Sequence, residues 1–483
     1  MLPSFLDKSL IDQGFVTSLL PFIGIFVGIF LSVIAGGMKW KNGLNKFIII
    51  AAHLFYIFFQ LSNVFNSNEV ITSNYFQLCS VVISLLCILS VIFAGEYFRK
   101  NLAPEWSVFF LISSLGAVVM PMCNNFISLF VAIETFSIPA YFLASLDSNR
   151  IKSLEAGIKY LLFGALTSSF YLLGIILLFG LYGSFDYSAL ATLITSSDIV
   201  SISVFFLIFS ALLFKISGFP FHLWSPDVYQ GSPSSSTAWL ASSAKVAGVS
   251  SILAIFYYSK LSALDNSFVP DMFVCLGLGS ILIGHISAFS QQSVKRLLAF
   301  SGVANVGYLL LALPHYNETA SSILVYLFQY GISFVALMAF IEFYTKKLNL
   351  KTELTIDDLP SLKDSNCKST VILFSILLLS VAGLPPLLGF FAKYSLIADL
   401  WKAGSVTSVV LVAVGSLLGM VYYLNLIKKI WLEGSSQKNI IENNSGISYP
   451  YISAVLGSII LFVSLLSFSA IYKLLIKSES FFN

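Results

Sequence analysis

Charge is scarce in this chain. Of its 483 residues only 10% are Asp, Glu, Lys or Arg, while 57% are hydrophobic. A soluble domain carries about 25% charged residues, and the water-facing surface of a protein this long cannot be built from so few. Cysteine is sparse too. Cys79, Cys87, Cys123, Cys275 and Cys367 include no CxxC pair, so neither a disulfide framework, a zinc site nor an iron–sulfur cluster is inferred. Four of them lie in or beside apolar stretches and read as small buried thiols. The four histidines, His53, His222, His285 and His315, lack metal-ligand spacing. No GxGxxG, Walker A, Gly-x-Ser-x-Gly or haem-attachment motif occurs. The chain therefore lacks its own equipment for nucleotide, hydride or electron chemistry. A net charge of +3, with no basic patch interleaved with aromatics, gives no sign of nucleic acid.

Long apolar stretches are what the sequence has in abundance. They recur end to end, each long enough to cross about 30 Å of hydrocarbon as a helix. The short alternating segments of a membrane barrel are missing. The expected fold is an all-α integral membrane protein of about fourteen transmembrane helices. The spans fall near 15–36, 46–63, 75–94, 106–122, 126–145, 155–182, 199–229, 236–258, 270–289, 297–313, 320–344, 369–400, 405–426 and 450–472. The first follows a segment without a basic n-region and is long for a signal sequence, so it reads as a retained helix. With the N-terminus placed outside, 17 of the 26 Lys and Arg fall in inside loops, 5 outside and 4 within spans. This is the asymmetry of the positive-inside rule. It puts both termini and 183–198 outside and 345–368 inside.

The seventh and twelfth spans are too long for one straight crossing. One holds Gly218 and Pro220, the other Gly383, Pro385 and Pro386. Proline removes a backbone donor and clashes with the preceding turn, so both helices are expected to break. Broken backbone at membrane depth must face protein or a watery cavity. Each break sits in the fourth span of a five-span block, and five is odd, which inverts one block relative to the other. Paired interrupted helices point to an ion path in transporters; the competing reading is two unrelated kinks. The division expected is 1–104 (three helices), 105–260 (first repeat), 268–430 (second, inverted repeat) and 431–483 (a loop and the last helix).

Charges inside a span cost roughly 2.5–3.5 kcal/mol on insertion scales and are functional candidates. Glu134, Lys215, Lys245 and Lys393 lie in four separate spans. Two amines close together in low dielectric repel, burial disfavours a charged amine, and a carboxylate favours it. A Glu134–Lys215 pair with further lysines could hold, release and hand on a proton. The competing reading is side chains that snorkel or form static bridges, and it is preferred for Lys159, near the start of its span. His285, alone in an apolar span, is a secondary relay candidate and more often a satisfied core residue.

The run Phe214-Lys215-Ile216-Ser217-Gly218-Phe219-Pro220-Phe221-His222-Leu223-Trp224-Ser225-Pro226-Asp227 resembles the lysine and Pro-Phe-His-x-Trp-x-Pro-Asp signature of the antiporter-like subunits of proton-pumping NADH:quinone oxidoreductase, respiratory complex I. Glu155 to Tyr160 and Lys295 to Ser301 resemble the starts of that family's sixth and tenth helices. Gly383 to Lys393 is similar to the subunit N branch, whose L and M relatives differ at this break. The resemblance implies a proton-translocating subunit with Glu134 and Lys215 as its pair, Lys245 as central relay and Lys393 on the outlet side. The family often has a histidine where this chain has Asn305, which makes Asn305 a secondary relay candidate. An amide does not load and release protons near neutral pH, so either water carries the proton past that point or the histidine's role is not essential here. The resemblance further implies that NADH, flavin, iron–sulfur clusters and quinone sit on other subunits, with none bound here. Its implied partners are M and K types as neighbours, the lateral helix of the L type, and lipid. The membrane would be a bacterial cell (inner) membrane, or alternatively the mitochondrial inner membrane. A component of a multi-subunit cation/proton antiporter and a non-catalytic scaffold are the other readings.

Overall fold

The computed structural model describes residues 13–38, 42–66, 71–94, 103–147, 149–194, 198–260, 268–348, 350, 353–363 and 368–433, with Val455 and Ile459. The expected last span, 450–472, and Cys367 lie outside the described residues. The described chain is helical. It runs through α1 (Gln13–Gly37), α2 (Asn42–Asn66), α3 (Ile71–Phe93), α4 (Ala103–Val119), α5 (Phe126–Ala144), α6 (Ile151–Tyr182), the short α7 (Ser188–Ile194) and α8 (Ile199–Ile216). It continues with α9 (Trp224–Gly231), α10 (Ser234–Tyr258), α11 (Val269–Phe289), α12 (Val294–Ala312), α13 (Tyr316–Lys347), α14 (Lys368–Ala382), α15 (Leu388–Lys402) and α16 (Val406–Leu432).

Among the described residues eleven helical stretches are long and apolar enough to cross a membrane. One of them, Val294–Lys347, has 54 residues. At about 1.5 Å per residue it far exceeds any bilayer, and it is two crossings, α12 and α13, joined at the 3₁₀ turn Leu313–His315. The broken pair α14 and α15 supplies a further crossing.

Burial separates centre from rim. The α10 span is 100% buried and the α12–α13 stretch 94%, whereas α6 and α16 are 33% buried. Helix α10 is rich in Ser, Ala and Gly, and such small side chains let neighbouring backbones approach closely in lipid. Some of its serines are satisfied on their own helix: Ser242 and Ser251 donate to the carbonyls of Ala238 and Ala247 at 2.6 and 2.7 Å. Cys79, Cys87 and Cys123 are buried thiols as expected, but Cys275 is exposed on α11, because its position falls on the outward side of that rim helix.

The element order repeats. Helices α5 and α12 each have 19 residues. The next helices, α6 and α13, each have 32. Each is followed by a short helical piece, α7 or the 3₁₀ segment Ile356–Leu362, and then by a broken span. A lone antiparallel bridge joins Asn125 to Asp186 in the first half, and another joins Ser293 to Thr355 at the matching place in the second. The two bridges lie at opposite ends of the molecule. Lys152, at the start of α6, pairs with Glu353 at 3.3 Å, which gathers 353–363 at the end opposite Asp186. Lys429 at the end of α16 joins the same end through Asp357 at 3.2 Å. The described parts of 183–198 and 345–368 are thus at opposite ends, as the Lys and Arg distribution requires.

Candidate functional site

Both expected breaks are present. Helix α8 stops at Ile216, and the residue that turns the chain is Ser217, at φ +61°, just before Gly218. The amides of Ser217 and Gly218 reach back to the carbonyls of Phe214 and Leu213 at 3.0 and 2.8 Å. The Trp224 indole donates to Phe214 O at 2.9 Å, and Ser280 Oγ accepts from Phe219 N at 3.0 Å. Helix α14 stops at Ala382, and here the glycine does turn the chain: Gly383 has φ +87°. A Cβ at that position would meet Lys393 Cδ at 2.8 Å. Peptide bonds Phe219–Pro220 and Pro385–Pro386 are cis.

The three lysines are buried, with Lys215, Lys245 and Lys393 only 2%, 1% and 8% exposed, and each has a different environment. Lys215, in the last turn of α8, has no hydrogen-bond partner for its amine among the described residues. Its Nζ lies 5.0–5.4 Å from the ring centroids of Phe214, Tyr160, Phe136 and Tyr141, a setting in which ring faces attract the cation. Lys245, in the middle of α10, donates to the Tyr330 hydroxyl of α13 at 2.8 Å and lies 4.8 Å from that ring's centroid. Lys393, in α15, turns back across the break and donates to the carbonyls of Val381 and Ala382 at 3.1 and 3.0 Å. Those carbonyls belong to the last turn of α14, whose oxygens lack helical donors and carry the negative end of the helix dipole.

Glu134 and Lys215, expected to act as a pair, are not in direct contact. Glu134, half-buried on α5, accepts from Ser168 Oγ of α6 at 2.5 Å, and no ion pair within 4.0 Å joins it to Lys215. The physical reason is local: the aromatic rings occupy the space around the amine, and a neighbouring helix offers the carboxylate a hydroxyl. Lys159 makes the static bridges expected of it, to Glu155 at 2.7 Å and to Asp227 at 2.6 Å. Arg296 takes the other Asp227 oxygen. These charges line a cavity of about 140 Å³ at the Glu353 end of the molecule.

The secondary candidates join a set of tyrosines that sequence reasoning missed. His285 Nε2 lies 2.9 Å from the Tyr308 hydroxyl. Lys393 Nζ is 5.8 Å from the Tyr308 ring centroid. Asn305 is fixed at both ends: its Nδ2 donates to Ser301 O at 2.9 Å and its Oδ1 accepts from the Tyr326 hydroxyl at 2.6 Å. Tyr423 donates to Ser301 Oγ at 2.8 Å. Tyr326 and Tyr330 are four residues apart on α13 and so share a face. That spacing inside an apolar helix was the available signal. Gly302 was not foreseeable: a Cβ there would stand 2.5 Å from Lys245 Nζ and 2.8 Å from the Tyr330 hydroxyl. Helix α8 packs closely on α10 near both lysines: Lys215 Cβ lies 3.7 Å from where a Cβ on Gly248, three residues after Lys245, would stand. Among the described residues no group of three His, Cys, Asp or Glu side chains could hold a metal ion.

Comparison with known proteins places this geometry. A transmembrane family model described as NADH:quinone oxidoreductase/Mrp antiporter matches residues 123–419. The NADH-quinone oxidoreductase subunit N of Bartonella bacilliformis is 30% identical over 443 residues, covering 87% of this chain and 88% of its own. A chain in the structure of respiratory complex I from Thermus thermophilus with bound aureothin superposes with a TM-score of 0.77 at 24% identity, covering 94% of this chain and 98% of that one. A chain of the Mrp complex from a Dietzia species gives 0.80 at 18% identity, covering 97% of each. At these identities the two structures establish a shared fold and do not separate respiratory from antiporter relatives.

Proposed function

The chain belongs to the NADH:quinone oxidoreductase/Mrp antiporter transmembrane family, in its NADH-quinone oxidoreductase subunit N branch, and from that membership we propose that it moves protons across the membrane through Glu134, Lys215, Lys245 and Lys393. The observation that carries the reading is the placement of three buried lysines on α8, α10 and α15. Two of them stand at helix breaks, and the third reaches the tyrosines that lead from one half to the other. A buried amine without a carboxylate in contact is costly to keep charged. It suits a group that is loaded and unloaded in turn, driven by quinone reduction elsewhere in the complex. The sequence relatives favour this over a cation/proton antiporter component.

In this reading 105–260 and 268–430 are the two inverted repeats, which the matched helix lengths and the paired bridges support. NADH, flavin, iron–sulfur clusters and quinone belong to other subunits. M- and K-type subunits flank the chain, the lateral helix of the L type runs along it, and the membrane is a bacterial cell membrane. The test is quinone-coupled proton pumping by assembled complex in sealed vesicles. Lys245→Ala removes the carrier, and Lys245→Arg keeps a charge that does not readily leave; both are expected to lose pumping. Full pumping by assembled Lys245→Ala complex ends the assignment, and rescue by arginine alone reassigns Lys245 to a static bridge.

A further inference from the structure

Lys245 has one hydrogen-bond partner among the described residues, the Tyr330 hydroxyl at 2.8 Å. Both groups are fully enclosed, with Lys245 1% and Tyr330 4% exposed. A phenol has two lone pairs and one proton, so accepting from an ammonium leaves its own O–H free to donate elsewhere. One turn along the same face of α13, Tyr326 donates to Asn305. Its ring packs edge-on to Tyr308 with centroids 6.5 Å apart, and Tyr308 meets His285 and the Lys393 amine. From Lys245 toward Lys393 the polar groups are therefore mainly hydroxyls, and the amide among them, Asn305, is held in one orientation by Ser301 and Tyr326. The absent side chain at Gly302 leaves the space in which amine and phenol meet.

We propose that Tyr330 is a catalytic residue of proton transfer, the group through which Lys245 delivers its proton to the second half of the molecule. An N–H bond of the Lys245 ammonium breaks and an O–H bond forms on the Tyr330 oxygen. The original phenolic O–H breaks and its proton passes to water on the Tyr326 side. Lysine and tyrosine both end neutral, and rotation about the phenolic C–O bond resets the hydroxyl. The step rests on Lys245 being the carrier. Its rival is that Tyr330 merely seats Lys245 by its ring face.

Tyr330→Phe separates the two, because it keeps the ring and removes the hydroxyl. The measurement is quinone-coupled proton pumping per assembled complex in sealed vesicles, in ordinary and heavy water. The expected result is a loss of about tenfold with a raised solvent isotope effect. That is less than the ~100-fold typical of losing a positioned proton-transfer group, since water can enter the vacated space. An unchanged rate and isotope effect overturns the proposal, as does a loss confined to the amount of complex assembled. Gly302→Ala keeps both groups but forces the flexible amine off the phenol, and is expected to give the same slowed, isotope-sensitive pumping. If Tyr330→Phe does not assemble, an unchanged Gly302→Ala complex overturns the proposal instead. Lys245→Ala, measured alongside, distinguishes the failures: its full pumping sinks the carrier itself, whereas its loss beside an unaffected Tyr330→Phe sinks only the tyrosine step.

Discussion

The first helix break and the second contain the same ingredients and hold their lysines in opposite ways. At the first, Lys215 precedes the break, the Trp224 indole and two backbone amides satisfy the loose carbonyls, and the amine is left among aromatic rings with no acceptor. At the second, Lys393 follows the break and its amine is itself a cap on Val381 and Ala382. A lysine that caps a helix end is part of the structure. A lysine without an acceptor is held only by the ring faces around it, which offset less of the cost of burying its charge than a hydrogen-bonded partner would.

The difference is sharpest under removal of charge at constant length, where the largest effect is expected. Lys393→Met leaves two buried carbonyls unsatisfied and is expected to cost about 1–3 kcal/mol, read as a lowered thermal midpoint of the purified complex. Lys215→Met removes a buried orphan amine and is expected to be neutral or stabilising by up to ~1 kcal/mol, although pumping is lost in both. Equal destabilisation by the two would erase the contrast.

A smaller effect separates the turning residues. Gly383→Ala places a side chain at φ +87° and against Lys393, an expected loss of about 1–2 kcal/mol. Gly218→Ala, where φ is ordinary and the nearest neighbour is a Leu213 methyl at 3.2 Å, is expected to stay within ~1 kcal/mol. Thermal midpoints of the two variants, measured side by side, decide whether the glycine matters at one break only.

The smallest effect concerns the outer anchor of the first break. Gln230, in the last turn of α9, donates to Glu353. Burial works against the Glu353 charge, but Ser293, Gln230 and Lys152 outweigh it and hold the carboxyl below its ordinary 4.5. A depressed carboxylate stabilises the fold above its unfolded value and ceases to as pH falls through its folded value. Stability should therefore decline below about pH 4.5, and Glu353→Gln should flatten that acid limb. An unaltered limb would remove Glu353 from the account.

Most of the scaffold was legible because lipid makes composition decisive. Apolar length, Gly and Pro inside two long spans, and the bias of Lys and Arg between loops lead to a many-span helical fold with broken seventh and twelfth crossings. The candidate site was legible as a set of buried residues: Lys215, Lys245 and Lys393 stand out in the sequence because a charge inside a span is expensive, and all three are buried. Their partners were not. Glu134 was expected to pair with Lys215, and the sequence did not show that it also accepts from Ser168. Asn305 stood as a secondary relay candidate, while Tyr326 and Tyr330 beside it were two among 22 tyrosines.

By itself, then, the sequence determined where the chain must be helical, where it must break and which spans carry charge, since each follows from transfer of single groups between water and hydrocarbon. Only the tertiary structure decided that Ser217 rather than Gly218 turns the first break, that Lys393 caps a helix while Lys215 caps nothing, and that Gly302 opens the space where Lys245 meets Tyr330. Those outcomes depend on distances between helices far apart in the chain. At such contacts a single methyl group or hydroxyl determines which partner a buried amine finds.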